Sequence, residues 1–99
     1  MTNKSNEIAL DRFISRRPMK LGSRTVEHEN GITTWKLFGN PIAKIDGEDN
    51  LYITASGYGS RTTLMALNSF PQVEARFKEG ELYLNDALWD GEWVCLGKL

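Results

Sequence analysis

The sequence predicts an α+β domain: a four-stranded antiparallel meander packed against one helix, then a terminal β-hairpin, with a short helix or arm in front. Three observations predict it. Between Arg24 and Ala55 apolar and polar residues alternate at the period of a half-buried strand. That alternation is interrupted at Asn30-Gly31, at Gly39-Asn40-Pro41 and from Asp46 to Asn50, all turn chemistry. The stretch from Leu51 to Pro71 then reads as a strand, a Gly57-Tyr58-Gly59 turn, a helix and a proline stop.

Taken in order, residues 1–6 are polar and read as a disordered lead-in. Glu7 to Arg17 reads as a short amphipathic helix capped by Ser5 or Asn6, with Ile8, Leu10, Phe13 and Ile14 as its apolar residues and Pro18 closing it. The chain thus divides into an N-terminal arm or helix, residues 1–18, and one domain, residues 19–99. A docked helix and a mobile basic arm through Arg16-Arg17-Pro18-Met19-Lys20 are the two readings of the first part.

The strand registers can be checked against one another. Asn30-Gly31 is a type I′ hairpin signal and sets Glu29 against Ile32 and Val26 against Trp35. A three-residue turn at Gly39-Asn40-Pro41 pairs Leu37 with Ala43 and Trp35 with Ile45. The loop from Asp46 to Asn50 sets Ile45 against Leu51 and Ala43 against Ile53. One face then collects Val26, Trp35, Leu37, Ala43, Ile45, Leu51, Ile53 and Ala55. The opposite face collects Lys36, Phe38, Ile42, Lys44, Tyr52 and Thr54. Three turns that agree on one apolar face support the sheet.

The helix runs from Ser60, an N-cap, to Phe70 and turns Thr63, Ala66, Leu67 and Phe70 inward over the apolar face. Trp35 is therefore expected to be buried between sheet and helix, and the N-terminal helix to cover the opposite face. Beyond Pro71, Val73, Ala75 and Phe77 alternate, the chain turns from Lys78 to Glu81, and Leu82 and Leu84 return, with Arg76 and Tyr83 outward. The tail turns at Asp90-Gly91 and rests on the body, because Leu88, Trp89, Trp93, Val94 and Leu96 are costly to leave in water.

Ninety-nine residues, 40% hydrophobic and 25% charged, make one domain with one core and exclude wholesale disorder. No apolar run approaches the ~20 residues of a membrane span. Cys95 is the sole cysteine and suits a reducing compartment, and His28 is the sole histidine. No ligand spacing points to a metal, no phosphate motif is complete, and no serine or cysteine has the setting of an activated nucleophile. No cofactor and no enzymatic activity are expected. Residues 1–24 carry six cations against two acids, +4, and residues 25–99 six against eleven, −5. An acidic body lacks the basic stripe of a duplex-binding surface.

Two candidate surfaces remain. Tyr58, Arg61, Leu64 and Met65 lie toward the outer flank of the helix and offer an apolar anchor for a partner protein or a second copy of the chain; a helix rolled to bury Leu64 is the alternative. Arg16, Arg17, Lys20, Lys36, Lys44 and Tyr52 interleave basic and aromatic residues and offer a nucleic-acid surface, the less favoured one.

At Gly57-Tyr58, Thr62-Thr63, Leu67-Asn68, Leu82-Tyr83-Leu84-Asn85 and Trp89-Asp90-Gly91, with Gly39-Asn40-x-Ile42-Ala43 earlier, the chain resembles small accessory proteins of tailed bacteriophages. The resemblance covers roughly Met19 to Trp93. It implies phage origin and action in the cytoplasm of a bacterial host, and it brings no established activity. Where the look-alikes carry cations in the helix this chain has Leu64 and Ala66, which argues against a phosphate-contacting role for it. The expected function is that of a small non-enzymatic binding protein that modulates a host protein, in defence evasion or host takeover.

Overall fold

The computed structural model describes residues 4–55 and 61–99. Its elements are α1 (Lys4–Ile14), β1 (Met19–Leu21), β2 (Arg24–Glu29), β3 (Ile32–Leu37), β4 (Asn40–Ile45), β5 (Asn50–Ile53), α2 (Arg61–Leu67), β6 (Ala75–Lys78), β7 (Glu81–Leu84), β8 (Ala87–Leu88) and β9 (Val94–Lys98). They form an antiparallel sheet in the order β1-β2-β3-β4-β5-β9 and a second one in the order β6-β7-β8. The fold is α+β, with the meander and hairpin that the alternation requires. The meander gains a strand at each edge: β1, which turns into β2 through Gly22-Ser23, and β9, which the tail contributes.

Helix α1 starts earlier than its apolar residues suggest, and Ser5 and Asn6 lie inside its first turns. Asn6 is fully buried and accepts a hydrogen bond from Arg24 Nε at 2.7 Å. The helix ends in a Schellman arrangement: Arg16 takes φ 60°, its N–H donates to the Phe13 carbonyl, and the Arg17 N–H donates to that of Arg12. Ala9 and Phe13 are buried, whereas Ile8 and Ile14 are exposed. The helix lies on the Trp35 side of the sheet, not on the opposite face: the Phe13 ring centroid is 6.1 Å from that of Trp35 and 5.6 Å from that of Phe70. Trp35 and Phe70 complete the triangle at 5.7 Å. One aromatic cluster thus joins sheet, α1 and the segment after α2.

The first and third registers hold as read: Glu29 opposes Ile32, Val26 opposes Trp35, Ile45 opposes Leu51 and Ala43 opposes Ile53. The middle one does not. The β3–β4 turn is the two-residue Phe38-Gly39, with φ 53° and 81°, so Leu37 opposes Asn40. A bulge between the Lys36–Pro41 and Trp35–Ala43 pairs places Trp35 against Ala43 and Thr33 against Ile45. The extra residue is Ile42, and a bulge re-aims side chains, so Ile42 joins Ala43 in the core at 1% exposure instead of facing outward.

Helix α2 ends at Leu67, and turns carry the chain to Phe70. Thr63, Ala66, Leu67 and Phe70 are buried as their spacing implies. The Gly57-Tyr58-Gly59 turn and the Ser60 cap lie outside the described residues. Hairpin β6–β7 turns at Glu79-Gly80 and buries Ala75, Leu82 and Leu84, but Phe77 at its tip is exposed.

The residues that carry the phage resemblance are largely scaffold. The Asn68 side chain donates to the Ala75 carbonyl at 2.8 Å and accepts from its N–H at 2.7 Å. Asn85 accepts from the Glu74 N–H at 2.8 Å and donates to the Gln72 carbonyl at 3.2 Å. The Gly91 carbonyl accepts from the Ala55 N–H at 2.9 Å and the Thr54 hydroxyl at 2.7 Å, latching the tail to the end of β5. From there β9 pairs along β5.

Candidate functional site

Because Trp35, Phe13 and Phe70 meet on one side, both helices are used on that side, and the other face of the large sheet has neither over it. Strand alternation decides what this open face presents. Glu27, Thr34, Lys44, Tyr52 and Cys95 stand in register across five strands. Lys20, Thr25 and Lys36 form the next row. All are exposed or half-buried.

Two arrangements order this face. The Lys44 ammonium lies 4.7 Å from the centroid of Trp93 and 5.4 Å from that of Tyr52, a cation held over two rings. Lys36 Nζ is 3.0 Å from a Glu27 carboxylate oxygen. At one rim, the Asp46 carboxylate accepts from the N–H groups of Glu48 and Asn50, both at 2.9 Å, and from the Tyr52 hydroxyl at 3.4 Å. The bond from the Asn50 N–H is the main cause that holds the Asp46 carboxyl below its ordinary 3.8. Burial, then the neighbouring Asp46 charge, pushes the Tyr52 phenol above its ordinary value.

The sign of the Asp46 effect gives a pH prediction. A carboxyl with a depressed folded-state pKa contributes stability above its unfolded pKa, and that contribution is lost as pH falls through the folded value. The wild type is therefore expected to lose stability steadily as pH drops below 3.8. Asp46→Asn should flatten that part of the curve. Denaturation midpoints across an acid series for both proteins check it, and superimposable slopes would remove Asp46 from the account.

The sequence-derived candidates fare differently. Leu64 is 7% exposed and belongs to the core, so it is not part of an outer anchor. Arg61 and Met65 are exposed, and Tyr58 lies outside the described residues. Lys20, Lys36, Lys44 and Tyr52 do share the open face. Arg16 does not; its guanidinium is paired with Asp49 at the β4–β5 loop, while Arg17 is exposed. The tail rests on the body as its apolar residues require: Trp89, Val94 and Leu96 pack against the core, and Trp93, 40% exposed, stands over Lys44, while Leu88 is exposed. The alternation Trp93-x-Cys95 was the available signal, but its partner strand lies about forty residues earlier in the chain.

Among the described residues no group of three or more His, Cys, Asp or Glu side chains is placed to hold a metal ion. His28 Nδ1 sits 2.8 Å from the Thr33 hydroxyl and is exposed beside Glu27 and Glu29. No helix among the described residues is long and apolar enough to cross a membrane.

The fold and this face define a small α+β domain with one helix-covered and one open sheet surface. The chain belongs to the Kyanoviridae Gp96 protein family, a phage protein family whose model matches residues 3–96. This agrees with the phage affiliation that the resemblance implied. No curated protein and no solved structure matches the chain.

Proposed function

We propose that this phage protein is a non-enzymatic binding protein that attaches to a host protein in the bacterial cytoplasm and modulates it through the open sheet face. The observation that carries the reading is the Lys44–Tyr52–Trp93 stack on a face left free by both helices. Tyrosine and tryptophan are the residues from which protein interfaces draw most of their energy. Mixed charge on the same face favours a protein over a phosphate backbone. Lys36 is neutralised by Glu27, Lys44 is held over two rings, and Arg16 is paired with Asp49, so half of the six residues read as a nucleic-acid surface are cations already engaged.

Affinity capture from infected-host lysate, wild type beside a Tyr52→Ala/Trp93→Ala double variant, tests this. A specific host protein retained by the wild type and lost from the folded variant is the expected result. Filter binding to single-stranded DNA and RNA at two salt concentrations runs beside it. Tight, steeply salt-dependent retention of nucleic acid, with no captured protein, would replace the reading with the nucleic-acid one. A change in oligomeric state alone would make the face a contact between copies.

A further inference from the structure

We propose that the adjoining β1–β2 and β3–β4 turns form a docking knob, anchored by Phe38, for an acidic protein segment that carries apolar side chains. The proposal rests on the binding-protein reading and names the partner chemistry at one end of the same sheet.

Phe38 occupies the first position of a two-residue turn at φ 53°. The Asn30-Gly31 turn uses the same geometry, at φ 53° and 79°, with a residue that tolerates it. A bulky side chain in the left-handed region is an outlier that persists at a cost. Phe38 is also 68% exposed, the highest value for a large hydrophobic among the described residues, and it is not part of the core cluster. It therefore bears backbone strain and hydration cost together, outside the core that offsets such costs elsewhere. Such a residue is explained by what binds it.

Its surroundings indicate the chemistry. The Phe38 N–H donates to the Ser23 carbonyl at 2.8 Å, which ties the two turns together, and Leu21 on the neighbouring β1 is 37% exposed. The strand residues that flank these turns, 19–26 and 35–43, carry Lys20, Arg24 and Lys36 and no carboxylate. Lys20, exposed beside Thr25 on the open face just behind the knob, is the cation there that is not paired with Glu27 as Lys36 is. Apart from Glu27, which is paired with Lys36, the acids of the sheet lie elsewhere: Glu29, Asp46, Glu48 and Asp49 at the opposite strand ends, and Asp90 and Glu92 past β5. An acidic segment is attracted to the knob and repelled from both of these regions.

The experiment joins stability to binding. Phe38→Asn should raise the thermal midpoint by roughly 4 °C or more, since strain and exposed apolar area are both removed. A lowered midpoint would make Phe38 a structural residue and overturn the proposal. For binding, a random-peptide display library is selected on the full chain. Enriched peptides should be acidic with at least one aliphatic or aromatic residue. Their affinity should fall about tenfold or more in Phe38→Asn, fall in Lys20→Glu, and weaken with added salt. No enrichment, neutral or basic winners, or unchanged affinity in Phe38→Asn each overturns it. So does Phe38-dependent binding to phosphatidylserine vesicles without peptide enrichment, which would assign the knob to a lipid surface. If Phe38→Asn still captures the host protein that Tyr52→Ala/Trp93→Ala loses, the knob fails and the open-face reading stands. If neither variant loses it, both fail.

Discussion

Replacing Trp35 by alanine is expected to cost on the order of 3–5 kcal/mol of folding stability, as large-to-small aromatic changes in cores do. Trp35 has no solvent exposure, and its ring meets both Phe13 and Phe70, so truncation opens a void bounded by the sheet and two other segments that cannot all close on it. The conservative variant separates volume from polarity. Trp35 Nε1 is buried with no acceptor among the described residues. Trp35→Phe therefore removes an unsatisfied donor along with part of the volume and should cost far less than the alanine change. Chemical denaturation of the three proteins reads both effects. A midpoint unmoved by Trp35→Ala would sink the proposed core.

Phe13→Ala is expected to be comparably severe, about 3–5 kcal/mol, although Phe13 stands in a segment whose charge suggests a mobile arm. The reason is the same cluster: Phe13 is fully buried at an edge-to-face angle of 83° to Phe70. Deleting residues 1–18 should go further, because it exposes Trp35 and Phe70 and removes the Asn6 acceptor from Arg24. Loss of the cooperative transition in that deletion, read by thermal melting with near-UV circular dichroism, is the expected outcome. A deletion variant that melted like the full chain would show that α1 is dispensable. For a small domain with limited core, such a helix contributes a large share of what is buried.

The fold could be read from the sequence where information was local. Asn30-Gly31 fixed the β2–β3 hairpin, because asparagine and glycine accept at low cost the two successive positive φ values its turn needs. The spacing of Thr63, Ala66 and Leu67 selected most of the inward stripe of α2, with Leu64 also turned inward, and the alternation through Leu51 and Ile53 set the β4–β5 register. These depend on periodicity and on backbone sterics, which act within a few residues.

What the sequence left open was decided at a distance. The Ile42 bulge follows from seating Trp35 against Ala43, a packing outcome that no single strand encodes, and it moved Ile42 from the outer face into the core. The side of the sheet taken by α1 depended on whether Phe13 could meet Trp35 and Phe70, residues far apart in the chain. That choice left the opposite face open, while β9, paired with β5 across about forty residues, brought Trp93 over Lys44. Alternation assigns side chains to two faces of a strand. Which face is covered is fixed by contacts whose loop-closure cost is repaid only when the whole core assembles.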